Sequence, residues 1–200
     1  MTVQTEYEQA YHKRLAAIEA DPQLTVLSSM NQPQESDQND VRQYIVFTDF
    51  KADEQKQKPT TIYVYTPFEN VDKYGHSKAD YQAQLLFETN RWDNVMHITV
   101  LETLGSESRL AFYDFENLGL AQLALKAFLN LAMKADVALV DGTISSFDKV
   151  NLAKLRHIFT KFGFNLKLTD PKPVSVKSVV PYNRLVAGKM MPQYLKQYRN

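Results

Sequence analysis

A short turn containing glycine precedes the most apolar helical segment of the chain. Residues 116–121 read ENLGLA, directly after the strand-like stretch RLAFYDF, and Gly119 and Ala121 flank the start of the helical pattern. Small residues at a helix start leave backbone N–H groups accessible, and these groups favour phosphate oxygens at the positive end of the helix dipole. The turn is therefore a candidate anion site. The alternative interpretation is a tight corner between strand and helix.

The histidines and serines form no recognisable catalytic or metal-binding pattern. The chain has four histidines, His12, His76, His97 and His157. None of them forms an H-x-x-x-H or H-x-E pattern, so each is interpreted as a surface or packed side chain. Ser145 and Ser146 lack the G-x-S-x-G context of a nucleophile and are interpreted as the end of a strand and a helix cap.

The overall composition excludes several classes of protein. Lys plus Arg and Asp plus Glu balance at 23 each, so no whole-chain field favours nucleic acid. The chain has no cysteine, which excludes disulfides and thiolate chemistry. No stretch approaches the roughly 18 apolar residues of a membrane span, and the first residues lack the pattern of a signal peptide. We therefore expect a cytoplasmic protein with no metal site and no membrane partner.

The two ends of the chain carry opposite charge. Residues 1–40 contain seven acids and two bases, whereas residues 171–200 contain six bases and no acid. The ends could attract each other, or two copies could pair as a homodimer. The tyrosines and bases of the last residues could also follow a nucleic-acid backbone, which the neutral net charge disfavours.

The first half of the chain predicts two helices and two strands. Residues 4–20 have apolar side chains at near-helical spacing and predict a helix. These side chains are Tyr7, Tyr11, Leu15 and Ile18. Residues 28–40 have no periodicity and predict a mobile connector. QYIVFTDF and TTIYVYT predict strands, and Tyr81, Leu85 and Leu86 predict a short helix over residues 79–90.

The second half alternates strands and helices. VMHITVLET and RLAFYDF predict an antiparallel hairpin joined by LGSES. The helix predicted over residues 116–135 separates RLAFYDF from the apolar strand VALVDGTIS, which predicts that these two strands are parallel. A helix over residues 149–162, a turn at Gly163 and the strand FNLKL follow. The whole order predicts an α+β (α/β) fold with a mixed, mostly antiparallel sheet flanked by helices.

The second half resembles the acetyl-CoA-binding half of the GNAT superfamily of N-acetyltransferases. In that family a strand leads into a Q/R-x-x-G-x-G/A turn and a long helix, and a strand, a short helix and the sequence F-Y-x-K-x-G-F follow. This chain has ENLGLA at 116–121 and IFTKFGF at 158–164 in the corresponding places. The resemblance covers about residues 109–168 and identifies the chain as similar to a divergent member.

The resemblance implies an acetyl-CoA cofactor and a set of site residues. The implied cofactor-binding residues are Glu116, Asn117, Leu118, Gly119, Leu120, Ala121, Asn151 and Phe159. The family uses a carboxylate or an ordered water near its fourth strand as the base. Asp114 and Glu102 are therefore the candidate catalytic bases, and Asp141 is also available. The pantetheine arm is expected between the splayed strands RLAFYDF and VALVDGTIS.

Three positions depart from the family pattern. Glu116 stands where the family has Gln or Arg, and its carboxylate repels a pyrophosphate unless it is paired or points away. Phe159 stands where the family has the tyrosine that acts as general acid, and phenylalanine cannot donate a proton. Asn151 lies eight residues before Phe159, whereas the family's asparagine lies seven before its tyrosine.

Two functions follow from these observations. The first is an acetyl-CoA-dependent N-acetyltransferase that acts on a small-molecule or peptide amine. The second is a catalytically degenerate GNAT-fold module for binding or assembly. The expected organisation is an N-terminal helix and connector (1–40), a GNAT-like domain (41–170) and a basic C-terminal arm that packs on the same domain (171–200).

Overall fold

The computed structural model describes residues 3–32, 43–51, 59–67, 80–90, 94–103, 118–144, 152–169 and 182–186. It contains three helices in these ranges, α1 (Val3–Ala20), α2 (Leu120–Lys134) and α3 (Leu152–Lys161). The strands are β1 (Thr25–Asn31), β2 (Gln43–Thr48), β3 (Thr60–Tyr65), β4 (Ala83–Asn90), β5 (Val95–Thr103), β6 (Leu139–Ile144), β7 (Asn165–Thr169) and β8 (Tyr182–Val186). Among the described helices, none combines the length and the apolar character needed to cross a membrane.

The eight strands are hydrogen-bonded in the order β1-β2-β3-β4-β5-β6-β8-β7. β1 pairs with β2, β2 with β3, β6 with β8 and β7 with β8, all antiparallel. β5 and β6 are parallel, and α2 lies between them in the chain. The predicted α+β class is therefore confirmed, including the mostly antiparallel mixed sheet and the parallel strand-helix-strand unit in the second half.

The chain forms two compact units. One comprises Met1–Leu86 and Val100–Phe128, and the other comprises Phe87–Thr99 and Leu129–Asn200. In the first unit, α1 contributes the buried side chains of Tyr11 and Ile18 to a cluster with Ile45 and Phe47 of β2. Leu15 packs against the same cluster, so the predicted apolar face is confirmed for Tyr11, Leu15 and Ile18. Burial of this face stabilises the helix, because most helical stability in proteins comes from packing of an apolar face.

Arg14, in the middle of α1, contacts residues of other segments of the first unit. Its guanidinium carbon lies 5.6 Å from the ring centroid of Phe47 and 5.8 Å from that of Tyr65. The same guanidinium lies 3.8 Å from the Asp80 carboxylate and donates a hydrogen bond to the Asp80 carbonyl. Arginine suits this position because its planar charged group stacks on aromatic rings and still offers several N–H donors.

The helix predicted over residues 79–90 is wrong, because this segment contains the strand β4. Ala83, Leu85 and Phe87 are fully buried and alternate with less buried residues, which is the period of a strand. The prediction relied on Tyr81, Leu85 and Leu86. The spacing of Tyr81 and Leu85 fits one face of a helix and also one face of a strand. Leu86 favoured the helix, but it is only half-buried and lies on the opposite face of β4 from Leu85.

The connector predicted over residues 28–40 is wrong at its start. Ser28, Ser29, Met30 and Asn31 belong to β1 and pair with β2 from Val46 to Gln43. β1 is mostly exposed and has no regular apolar alternation, because it lies at the end of the described strand order. β1 is defined by its backbone hydrogen bonds to β2, which no pattern of side chains in the sequence indicates. Residues 33–42 lie outside the described part of the chain.

The strand parallel to β6 is not the one predicted. Val95–Ile98 of β5 pair with Leu139–Gly142 of β6, and β8 occupies the other neighbouring position of β6. RLAFYDF, which was expected in this role, lies outside the described residues. The rule that a strand-helix-strand succession gives a parallel pair holds here. The prediction named the wrong strand as the parallel partner of β6: the partner is β5, with the sequence VMHITVLET.

The end of α3 is a Schellman motif. Gly163 has a φ of +81°, its N–H donates to the Thr160 carbonyl, and the Phe164 N–H donates to the Phe159 carbonyl. The rings of Phe159 and Phe164 pack edge to face with centroids 5.2 Å apart. This apolar contact is the usual companion of the motif. The turn predicted at Gly163 is thereby confirmed, and the glycine is required by its positive φ.

Ile18→Ala tests whether the apolar face of α1 stabilises the first unit. Ile18 is 1% exposed, so truncation leaves a cavity and should lower the free energy of unfolding by about 2–4 kcal/mol. Urea unfolding followed by circular dichroism measures this. Glu19→Ala, at the exposed neighbouring position of the same helix, should change the free energy by less than about 0.5 kcal/mol. Equal effects of the two substitutions would contradict the assignment.

Candidate functional site

Asn94 sets the starting register of the parallel pair in the second unit. It has a φ of +51° and precedes β5. Its carbonyl accepts hydrogen bonds from the N–H groups of Ala138, at 2.9 Å, and Leu139. Its side-chain amide donates to the carbonyl of Asp136, at 2.8 Å. Asparagine tolerates this left-handed conformation better than most residues. These bonds hold the first residue of β5 beside the first residue of β6, which is the observed pairing of Val95 with Leu139.

The register brings His97 of β5 opposite Asp141 of β6. The Nδ1 atom of His97 lies 2.6 Å from Oδ1 of Asp141, which is a short hydrogen bond. The Asp141 side chain is 4% exposed, whereas the His97 side chain is 36% exposed. A buried carboxylate therefore holds an imidazole that solvent can still reach. This arrangement can orient the ring and fix which nitrogen carries the proton.

The sequence analysis missed this pair because the two residues lie 44 positions apart. His97 was interpreted as an isolated histidine, and Asp141 was considered only as an available carboxylate. A correct choice of β5 as the parallel neighbour of β6 would have shown the pair. With β5 and β6 starting side by side, the third residue of each strand is necessarily a neighbour of the other.

Gly119 forms the start of α2. Its carbonyl accepts the hydrogen bond from the Leu123 N–H, so it occupies the N-cap position, and its φ of +78° lies in the left-handed region. Leu118 and Ala121 are half-buried and Leu120 is 1% exposed. No described atom lies within 4 Å of the place that a Cβ on Gly119 would occupy. The described atoms thus leave the Cβ side of Gly119 open, and a phosphate bound at a helix start needs a close approach to the backbone.

Four of the predicted site residues lie outside the described part of the chain. These are Asp114, Glu116, Asn117 and Asn151. Their roles stay predictions. Of the other predicted cofactor-binding positions, Leu118, Gly119, Leu120 and Ala121 are contiguous at the start of α2, and Phe159 belongs to α3 in the second unit. Among the described residues, no group of three or more His, Asp or Glu side chains could hold a metal ion.

Glu102, a predicted base, is an exposed residue of β5 that accepts a hydrogen bond from the Gln84 side-chain amide. Its charge acts on Tyr81, whose ring centroid lies 5.2 Å from that of Tyr63. Burial raises the pKa of the Tyr81 hydroxyl, and the charges of Glu102 and Tyr63 raise that pKa further. Glu102 is thus placed to interact electrostatically with a partly buried phenol.

Phe159 is 2% exposed and contributes the apolar contact of the Schellman motif. A ring without a hydroxyl suits this position, because a buried hydroxyl needs a hydrogen-bond partner. The segment FTKFGF therefore has a sufficient structural explanation as a helix stop. The general acid that the resemblance associates with this position is not supplied by Phe159.

Gly119→Ala should lower the free energy of unfolding by about 1 kcal/mol, because a Cβ is unfavourable at a φ of +78°. Gly119→Asn is the matched control. It also adds a Cβ, but asparagine tolerates this conformation, so the loss should be smaller. Chemical denaturation of the three proteins gives the comparison. An alanine variant as stable as the wild type would contradict the left-handed N-cap.

Glu102→Gln should lower the pKa of Tyr81, because it removes a negative charge that disfavours the phenolate. Nuclear magnetic resonance of ¹³Cζ-labelled tyrosine measures this, with Tyr81→Phe assigning the signal. Glu88→Gln, an exposed carboxylate on β4, is the control. Since the folded pKa is raised, the contribution of Tyr81 to stability is present below the unfolded pKa and is lost as pH rises through the folded value. An unchanged Tyr81 titration in Glu102→Gln would refute the coupling.

Similarity to known proteins is found in the three-dimensional structure. No family model matches the sequence, and no curated protein matches it either. Many solved structures that match the chain are acetyltransferases of the GNAT family, at low identity and over part of the chain. A GCN5-related N-acetyltransferase from Brucella melitensis is 11% identical, with a TM-score of 0.49, over 71% of this chain and 57% of its own.

Two further structures show the same range of similarity. Nourseothricin acetyltransferase is 11% identical, with a TM-score of 0.43, over 88% of this chain and 94% of its own. Arabidopsis thaliana Naa50, in complex with the bisubstrate analogue CoA-Ac-MVNAL, is 12% identical, with a TM-score of 0.42. That match covers 62% of this chain and 70% of the Arabidopsis protein.

Proposed function

We propose that the protein is an acetyl-CoA-dependent N-acetyltransferase that acts on an amine. The parallel pairing of β5 and β6 carries this proposal. β5 and β6 pair from Val95 with Leu139 to Ile98 with Gly142, and α2 lies between them in the chain. In the GNAT fold, which the chain resembles, the strands before and after the pyrophosphate-binding helix are neighbours in the sheet, and the pantetheine arm lies between them.

The N-terminus of α2 supports the same proposal. Residues 118–121 would hold the pyrophosphate through backbone N–H groups, and the open space beside Gly119 fits such an approach. Under this proposal Leu120 and Ala121 act through their main chain. The family pattern adds Glu116, Asn117, Asn151 and Phe159 as cofactor contacts, with Glu116 directed away from the phosphates or paired.

The proposed chemistry is direct attack of a neutral amine on a thioester. When bound, acetyl-CoA supplies an activated acetyl group with a thiolate as leaving group. The protein aligns the two reactants and stabilises the developing oxyanion with a backbone N–H group. The family pattern indicates a carboxylate or an ordered water as the base, with Asp114 and Glu102 as the candidate carboxylates in this chain. Because Phe159 cannot donate a proton, solvent protonates the leaving thiolate.

A second candidate function is a GNAT-fold binding or assembly module without acetyl transfer. Phe159 favours it, because this side chain completes a helix stop and has no acidic proton. Under this proposal, the acidic N-terminal region and the basic C-terminal region would join two copies or contact a partner protein. In both proposals the protein acts in the cytoplasm.

Calorimetric titration of the purified protein with acetyl-CoA and with CoA separates the two functions. We expect micromolar dissociation constants for the acetyltransferase, a binding free energy of about −8 kcal/mol. No heat of binding up to a ligand concentration of about 1 mM, near −4 kcal/mol, would contradict the proposal and favour the assembly module.

Two substitutions at Gly119 locate the binding site. Gly119→Gln and Gly119→Glu add side chains of equal size with the same backbone strain, but only the glutamate repels a pyrophosphate. Both should weaken CoA binding, and the glutamate should weaken it more. Circular dichroism confirms that each variant is folded. Unchanged binding in both variants would place the phosphates elsewhere.

A further inference from the structure

The hydrogen bond between His97 and Asp141 determines which imidazole nitrogen is available for chemistry. An ionised carboxylate has no proton to give, so Nδ1 of His97 donates to Oδ1 of Asp141. Neutral imidazole carries one N–H group. With the proton held at Nδ1, the Nε2 atom presents a lone pair and can accept a proton.

The location of the pair connects it with the proposed site. His97 and Asp141 occupy the position immediately before the last paired residues of β5 and β6, Ile98 and Gly142. The pair therefore lies at the end of the paired region of β5 and β6. The 36% exposure of the His97 side chain leaves the ring accessible to a solute, while the 4% exposure of Asp141 protects the hydrogen bond that orients it.

We infer that His97 is the general base that takes the proton from the acceptor amine and that Asp141 is its positioning residue. This inference rests on the proposed acetyl transfer. Nε2 accepts one proton from the ammonium group, directly or through one water, and the neutral amine then has a free lone pair. The C–N bond forms and the thioester C–S bond breaks. The thiolate takes a proton from solvent, and the nitrogen of the new amide releases its second proton to solvent.

Histidine suits this step better than the carboxylates that the family pattern indicated. A general base is most effective when its pKa lies near the working pH, and among side chains the ordinary pKa of histidine comes nearest to neutrality. Glu102 is exposed and accepts a hydrogen bond from Gln84. The exposure of Glu102 and its hydrogen bond from Gln84 do not fix the direction of a carboxylate lone pair. The hydrogen bond to Asp141, in contrast, fixes the orientation of the His97 ring.

The tautomer of His97 in the unmodified protein gives the first test, and it does not depend on activity. Two-bond ¹H–¹⁵N correlation spectra of ¹⁵N-histidine-labelled protein distinguish protonation at Nδ1 from protonation at Nε2. His97→Gln assigns the signal. We expect the neutral ring to carry its proton at Nδ1, and Asp141→Asn should shift the population toward Nε2–H. A wild-type ring protonated at Nε2 would overturn the inference.

Kinetics provide the second test. Thiol release from acetyl-CoA is measured with a panel of amines containing spermidine, kanamycin, lysine and a peptide with a free N-terminus. His97→Gln should lower kcat/KM about 100-fold or more near neutral pH, with little change in acetyl-CoA binding. The loss should shrink as pH rises, because the amine then deprotonates without help. Asp141→Asn should also lower kcat/KM and alter the acidic limb of its pH profile.

His157→Gln is the matched control, since His157 is an exposed histidine on α3. It should leave kcat/KM and its pH profile unchanged. Acetyl transfer that is equally fast in the wild type and in His97→Gln would refute the base while the proposed function stands. Failure of the wild type to bind acetyl-CoA or to acetylate any amine of the panel would overturn both. If His97→Gln is unfolded by circular dichroism, the wild-type tautomer decides the question.

Discussion

The register between β5 and β6 is the constraint on which the candidate site depends. A parallel pair has no tight hairpin to align its strands, so another contact must do so. Here the Asn94 carbonyl accepts hydrogen bonds from backbone N–H groups at the start of β6. The Asn94 side-chain amide donates a hydrogen bond to the carbonyl of Asp136, just after α2. A slip of one residue would turn every side chain of one strand to the opposite face. His97 would then no longer lie beside Asp141.

Structural requirements explain part of the family resemblance in the second half. Gly163, Phe159 and Phe164 together make a complete helix stop, and Gly119 provides a left-handed N-cap. A sequence pattern containing these residues is therefore expected wherever the same helices must end and begin, with or without a cofactor. The His97–Asp141 hydrogen bond lies outside this sequence pattern.

Most of the elements could be predicted from the sequence because either their side-chain period or their composition is clear. The apolar series of α2 fits only the helical period, and β2 and β3 are predicted by their β-branched and aromatic composition. β4 was missed because the spacing of Tyr81 and Leu85 fits both a helix and a strand. The start of β1 was missed because an exposed edge strand depends on backbone hydrogen bonds more than on side-chain burial.

The site was harder to predict than the fold. Gly119 could be predicted, because a helix start is a local feature with its own residue preferences. The His97–Asp141 pair could not be predicted once RLAFYDF was taken as the neighbour of β6, since a contact between distant residues depends on the strand order. Glu102 was located correctly on a strand, but its partners Gln84 and Tyr81 come from a segment that had been predicted as a helix.

The long separation between His97 and Asp141 has a consequence for the order of folding. Bringing His97 and Asp141 together closes a loop of 44 residues, which costs more chain entropy than the much shorter connection between β2 and β3. The pair should therefore assemble late, after α2 has formed and brought the start of β6 to Asn94. A nascent or partly folded chain would already have the antiparallel pairing of β1, β2 and β3 but would not yet have the imidazole in its oriented state.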